Sequence, residues 1–535
     1  MPKSLYLINP RPANPSYFGA EAFRQCGYAG AQAIADLAAS TVAALAPDGW
    51  QVSICEEYVE PIDFDTDADF IGLTGKVIQG QRMNEVADIF RQRGKTVLIG
   101  GPHASLSPDA VRDHCDILLI GELESMAEEF FADLENGTWK KEYVAEKPNL
   151  DASPLPRFDL YPNHRALSGC VQTSRGCPFE CEFCDVIQYL GRKQRHKSVD
   201  QILAELDEVY RVGYRAVFLA DDNFTVYRKR AKNVLQALAD WNAKRPDGPV
   251  AFHTQVSIDA ARDPEIMELC GEAGLTRVFI GIETPNEESL RETKKRQNVG
   301  VDLVDQVQVF LDHGISVTGG MIVGFDHDGP DIFQRQLDFG MATPIPIFTL
   351  GALVAPAATP LYDRMEESGR LVASGGSETQ GVWNTNIIPT LLTPEQLFSG
   401  LKWLGNRLYD PANFARRVVA MIERMGPQRG PFKAGYIAHK PRPVETEALG
   451  VVRKMIARGP AEKQMWREIS SALAEKPEAG TMAMMSLFSY AQVRCLYDSE
   501  QYWEPEMVDM PQFPLAAEMA GAGAQKPAGL VSLGS

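Results

Sequence analysis

The stretch TSRGCPFECEFCD, residues 173–185, sets Cys177, Cys181 and Cys184 within eight positions at C-x3-C-x2-C spacing. Gly176 and Pro178 flank the first cysteine and mark a loop. Residues 169–173 lead into it and read as a strand. Three thiolates on one loop hold three corners of an iron–sulfur cube, whereas a four-iron cluster normally takes four protein ligands. One iron is then open to an exogenous ligand, for which the amino and carboxylate groups of an amino acid are suited. The competing reading is zinc. Structural zinc takes four ligands, usually from paired knuckles, and the nearest further candidates, Cys170 and His196, lack knuckle spacing.

Around this loop the chain repeats strand and helix patterns. Strand-like runs lie at residues 216–220, 251–256, 277–282, 316–323 and 348–353, with helical spacing between them at 199–212 and 228–241. Six such units predict a partial (β/α)6 barrel over residues 169–388, with its active site at the carboxyl ends of the strands. Upstream, strand-like runs at 5–9, 51–55, 70–73, 96–99 and 117–120 alternate with helical patterns at 31–45, 83–91 and 126–134. The fold class is therefore α/β, with a Rossmann-like parallel sheet over residues 1–141. Its strands end in Asn9, in Thr74-Gly75-Lys76, in Gly100-Gly101-Pro102-His103 and in Gly121-Glu122. These ends define either a cofactor crevice or ordinary turn chemistry. Residues 142–168, with four prolines and no clear period, read as a linker. Beyond residue 389 the pattern turns helical, to about 515. Thr393-Pro394-Glu395-Gln396 is a capping box, followed by Leu397, Leu401, Leu404 and Leu408 on one face. Residues 516–535, rich in Ala and Gly, predict a disordered tail.

Composition bounds the partners. The 535 residues are 44% hydrophobic and 23% charged, and carry 53 Lys plus Arg against 71 Asp plus Glu. A net charge of −18 argues against a nucleic-acid binder that relies on a broad basic surface. Nine dispersed cysteines do not make a disulfide scaffold, and the start MPKSLYLINP lacks the apolar core of a signal peptide. Residues 343–360 contain four prolines and cannot span a bilayer. A cytoplasmic protein without a transmembrane segment is expected.

The cysteine loop, with Phe183 before its third cysteine, resembles the signature of radical S-adenosylmethionine (SAM) enzymes, and the resemblance spans the barrel. It implies a [4Fe-4S] cluster on Cys177, Cys181 and Cys184, with SAM on the open iron. Reductive cleavage of SAM then gives a 5′-deoxyadenosyl radical. LADDNF, residues 219–224, falls at the second strand end, where the family contacts the SAM amino group; Asp221, Asp222 or Asn223 would take that role. FIGIET puts Glu283 at the fourth strand end, within reach of ribose hydroxyls. GMIVGF, residues 320–325, resembles the adenine motif, and the backbone around Ile322 and Gly324 is the expected contact.

A Rossmann-like domain before such a barrel resembles the cobalamin-binding subclass. GGPHAS, residues 100–105, and GELE, residues 121–124, look like its recurring segments, so Asn9, Thr74, Gly75, Lys76, Gly100, Gly101, His103, Gly121 and Glu122 are candidate cobalamin contacts. No histidine precedes His103. The Asp-x-His-x-x-Gly ligand of cobalamin mutases is therefore missing, and imidazole is not expected under the cobalt. The C-terminal region resembles that of hopanoid methylases. These resemblances imply methylation of an unactivated carbon of a small-molecule or lipid substrate, with a reductant such as flavodoxin or ferredoxin. The alternatives are cobalamin-dependent radical oxidation or cyclisation, and a zinc-stabilised binding protein. Three further features stay open. The basic run GRKQRHK, residues 191–197, suits either an anion or solvent. The methionine-rich residues 482–490 suit core packing, the cover of a greasy substrate or contact with a membrane surface. Trp383, Trp403 and Tyr409 could line a substrate pocket.

Overall fold

Short aliphatic and β-branched runs become strands where small or polar residues end them. A computed structural model describes residues 2–12, 14–17, 19–372, 383–433 and 439–512. Its first part contains β1 (Ser4–Asn9), β2 (Gln32–Ile34), β3 (Gln51–Glu56), β4 (Phe70–Thr74), β5 (Thr96–Gly100), β6 (Ile117–Ile120) and β7 (Glu142–Val144). All except β2 pair in parallel, in the order β3-β1-β4-β5-β6-β7. The order reverses between β1 and β4. There a doubly wound sheet opens a crevice beyond its carboxyl ends. One face of the sheet buries Ile8, Ile71, Val97 and Ile99 against Met83, Val86 and Phe90 of the helix Gly80–Gln92.

Two segments depart from the sequence pattern. Residues 31–45, expected as one helix, divide into β2 and the helix Ala38–Leu45. Strand wins at Gln32–Ile34 because a neighbouring edge offers a ladder, a tertiary contribution that local propensity does not contain. Glu142–Val144, placed in the linker by its surroundings, is the last strand of the front sheet and pairs with β6.

The second part contains β8 (Ala166–Val171), β9 (Ser174–Arg175), β10 (Arg195–His196), β11 (Ala216–Leu219), β12 (Ala251–Gln255), β13 (Leu275–Glu283), β14 (Ser316–Val323) and β15 (Ile347–Ala352). Its parallel sheet runs β15-β14-β13-β12-β11-β8-β2. The six expected strands are present, and β2 adds a seventh from the front of the chain through Gln32↔Ala166 and Ile34↔Ser168. The result is an open half-barrel wrapped by helices, with its ends β15 and β2 unpaired to each other.

The β15 edge is nonetheless satisfied. Tyr17 Oη donates to the Leu350 carbonyl at 2.8 Å and accepts from its N–H at 3.1 Å. Tyr409 Oη serves Phe348 in the same way. Tyr409 is therefore a core residue, not a pocket wall. Trp383 and Trp403 are buried as well. The Thr393 capping box forms as read, and Leu397, Leu401, Leu404 and Leu408 are buried in the core. Met482, Leu487 and Tyr490 of the helix Gly480–Ser499 join that core. The expected tail, 516–535, lies outside the described residues.

Candidate active site

The cysteine loop starts where β8 ends and is tied down from every side. Gly176 has φ +97°, and a Cβ there would stand 2.8 Å from the Gly191 carbonyl, so only glycine fits the turn. The Gly176 N–H donates to Asp222 Oδ2 at 2.7 Å. Cys177 N–H donates to the Gly191 carbonyl, and Cys184 N–H to that of Cys181. Gln297 Nε2 lies 3.7 Å from Cys181 Sγ as a donor. Burial pushes the Cys177 thiol up to about 11 and Cys184 up to about 12.

The charge missing from the sequence reading is Lys295. Burial disfavours its ammonium, but Glu283 and the neighbouring Cys181 and Cys184 sulfurs outweigh that and hold it charged. Its Nζ lies 2.7 Å from Glu283 Oε1 and 6.0 Å from the Phe183 ring centroid. A cation beside clustered thiolates fits a net-negative iron–sulfur cube.

The strand-end residues divide by role. Asp221 is fully buried. It accepts from Thr173 Oγ1 at 2.9 Å and from Ser174 Oγ, so it braces the start of the loop. Asn223 spends its amide on Ser257 Oγ. Asp222 is close enough to Cys177 to act on its thiol, as Asp185 is to Cys184. Burial raises the Asp222 carboxyl to about 6 against the opposing Gly176 N–H. Glu283 follows a bulge in β13 and has φ +64°, a strained setting for a side chain. Gln336 Nε2 staples the carbonyls of Glu283 (3.0 Å) and Ile322 (3.1 Å). Asp328 Oδ2 accepts from the N–H groups of Gly324 (3.0 Å) and Phe325 (3.1 Å). The Ile322 carbonyl and Gly324 N–H are thus held by protein. Neither Gln336 nor Asp328 stands out in sequence, because each lies downstream of the motif it supports.

The front crevice brings Asn9, Thr74, Gly75, Lys76, Gly100, Gly101, His103 and Gly121 to one sheet edge. Lys76 is exposed. His103 is 2% exposed, and its ring packs on Gly80, where a Cβ would stand 2.4 Å from Nε2. Asn9 turns into a buried polar relay. Its Nδ2 donates to Glu56 Oε2 at 2.8 Å, and its Oδ1 accepts from Gln79 Nε2 at 2.6 Å. Burial, with help from Asp36, raises the Glu56 carboxyl to about 8. A carboxyl raised in the folded state favours folding below its unfolded value, near 4.5. Its contribution falls as pH climbs from there to about 8, by roughly 1.4 kcal/mol per pH unit. Glu56→Gln is therefore expected to flatten the fall in melting temperature between pH 5 and 8 and to melt above the parent at pH 8. Thermal melts across that range check it.

Glu122 faces the cluster loop rather than open crevice. β9 and β10 pair with Arg175 directly opposite Arg195, a repulsive cross-strand pair. Glu122 resolves it: Oε2 lies 2.6 Å from Arg175 and Oε1 2.6 Å from Arg195. Glu124 adds a 2.7 Å contact to Arg175. The GELE segment therefore clamps the front sheet onto the cysteine loop. The basic run is divided: Arg195 takes Glu122 and Lys197 pairs with buried Glu205, while Arg192 and Lys193 are exposed to solvent.

The Radical SAM superfamily model matches residues 171–339, and a domain of unknown function, DUF4070, matches 359–495. An uncharacterized methyltransferase of Synechocystis sp. is 34% identical over 77% of each chain. The hopanoid C-2 methylase of Rhodopseudomonas palustris is 32% identical over 70% of this chain and 71% of that one. The chain belongs to the radical SAM methyltransferases. The fold agrees with the radical SAM methyltransferase TsrM of Kitasatospora setae, solved with cobalamin and a [4Fe-4S] cluster. The TM-score is 0.61 at 15% identity, covering 90% of this chain and 100% of TsrM. No helix among the described residues is long and apolar enough to cross a membrane.

Proposed function

We propose that the protein methylates an unactivated carbon of a lipid-like or other small-molecule substrate, with cobalamin as methyl carrier between the front sheet and the half-barrel. The observation that carries this reading is the clamp from Glu122 and Glu124 to Arg175 and Arg195. It fixes the carboxyl edge of the front sheet over the cysteine loop, so groups bound on either side face each other. When bound, the cluster supplies an electron to SAM and cobalamin supplies the methyl group. Asp222, beside Cys177, is the acceptor for the SAM amino group. Glu283, held by Lys295, is the acceptor for the ribose, and Lys295 offsets the negative charge of the thiolates. Thr74, Gly75, Lys76, Gly100, Gly101, His103 and Gly121 line the cobalamin crevice, with no imidazole required beneath the cobalt.

The protein works in the cytoplasm with a small electron donor of the flavodoxin or ferredoxin class. Kinship with a hopanoid methylase supports a lipid substrate and methylation over oxidation or cyclisation. Anaerobic turnover with deuterium-labelled candidate lipids tests the reading. Deuterium in 5′-deoxyadenosine together with a product heavier by one methylene is expected. A product changed by oxygen insertion or hydrogen loss alone would overturn it.

A further inference from the structure

The lumen of the half-barrel carries a cation with no carboxylate against it among the described residues. Strand alternation fixes its direction. On β13, Val278, Ile280 and Ile282 are fully buried under the outer helices, so Arg277, Phe279, Gly281 and Glu283 face inward. On β12, Phe252 packs outward on Trp241. His253 therefore faces inward. It pairs in register with Arg277 and lies 5.2 Å from the Phe218 ring. Arg277 stands beside Ser316 of β14, whose Oγ touches Met482 of the helix Gly480–Ser499. Strand alternation turns the Arg277 side chain into the lumen, where it stays partly accessible. Among the described residues no carboxylate pairs with it, and burial alone pulls its guanidinium down to about 10. Next to it the His253 Nε2 is buried and has no hydrogen-bond partner.

A guanidinium turned into a half-barrel lumen with no acidic partner among the described residues gains little for the fold, and replacing such charges with apolar residues commonly stabilises a protein. No hydrogen bond or ion pair among the described residues uses this one. We propose that Arg277, with His253 beside it, seats the acidic group, carboxylate or phosphate, of an elongated substrate whose reacting carbon lies near the mouth of the half-barrel. This rests on the methyltransferase reading above and narrows its substrate class from lipids in general to acidic amphiphiles. Arg277 precedes Glu283 by six residues, which at ~3.3 Å per residue sets the floor ~20 Å below the SAM site. Small polar substrates do not bridge that span. A neutral hydrocarbon leaves the charge unpaired.

The test is equilibrium binding to the reconstituted holoenzyme under anaerobic conditions, by calorimetry. The probes are tetradecanoate, tetradecyl phosphate and tetradecan-1-ol. At least one acid is expected to bind more than tenfold tighter than the alcohol, and the acid that does so names the group. Arg277→Met should bring the acids to the level of the alcohol, and Arg277→Lys should keep part of the preference. The melting temperature of ligand-free Arg277→Met should hold or rise, whereas a purely structural arginine would lower it. Equal binding of acids and alcohol, no saturable binding of any probe, or an acid preference kept by Arg277→Met would overturn the proposal. The assay reads no turnover, so such a failure leaves the methylation test standing.

Discussion

Cys181→Ala is expected to eliminate both product and 5′-deoxyadenosine while leaving the fold intact. Mutating a partner that only supports a metal ligand commonly costs 10–100-fold, and in the proposed function Cys181 is itself a cluster ligand, with Gln297 as a donor to its sulfur. The side chain is nearly buried, so Ala removes a thiol without exposing a large face. The reconstituted variant should lose the broad iron–sulfur absorbance near ~400 nm and most of its iron. Its far-ultraviolet dichroism should match the parent. Full turnover by this variant would remove the basis for every role assigned to the half-barrel mouth.

Glu122→Ala is expected to have the largest effect on stability. It leaves Arg175 and Arg195 opposite each other with Glu124 as the remaining acid. The side chains of Glu122, Arg175 and Arg195 are 3%, 10% and 11% exposed, so solvent does little to screen them. Removing one partner of a buried pair costs about 3–5 kcal/mol. Denaturant melts should show that loss, and Arg195→Met in the same chain should recover part of it. In the proposed function the clamp also aligns the two cofactor sides, so the variant should release more 5′-deoxyadenosine per methyl group transferred. A variant of unchanged stability and unchanged product ratio would show that the clamp does not couple them.

Much of this was legible from the chain alone, for identifiable reasons. The six half-barrel strands are short aliphatic runs with clear stops, and the Thr393 capping box carries its own hydrogen bonds. The cysteine loop reads directly because its three cysteines lie close together in sequence. β2 escaped notice because its ladder partner is more than a hundred residues downstream. Lys295 escaped for a related reason: its partners, Glu283 and the thiols, meet it only in space. Glu122 sat in a recognisable motif, yet its motif does not say which way it turns. That depends on the arginine pair opposite it. Arg277 looks like an ordinary strand residue until the register places it beside His253.

The strand Gln32–Ile34 joins the edge of the half-barrel before the front sheet is complete in chain order. A truncated protein starting after residue 150 would thus not be a trimmed enzyme but one with a torn seam. The bared flank of Ala166–Val171 would invite strand addition from another molecule. The two halves are stitched by backbone as well as by charge, and neither was built to be borrowed without the other.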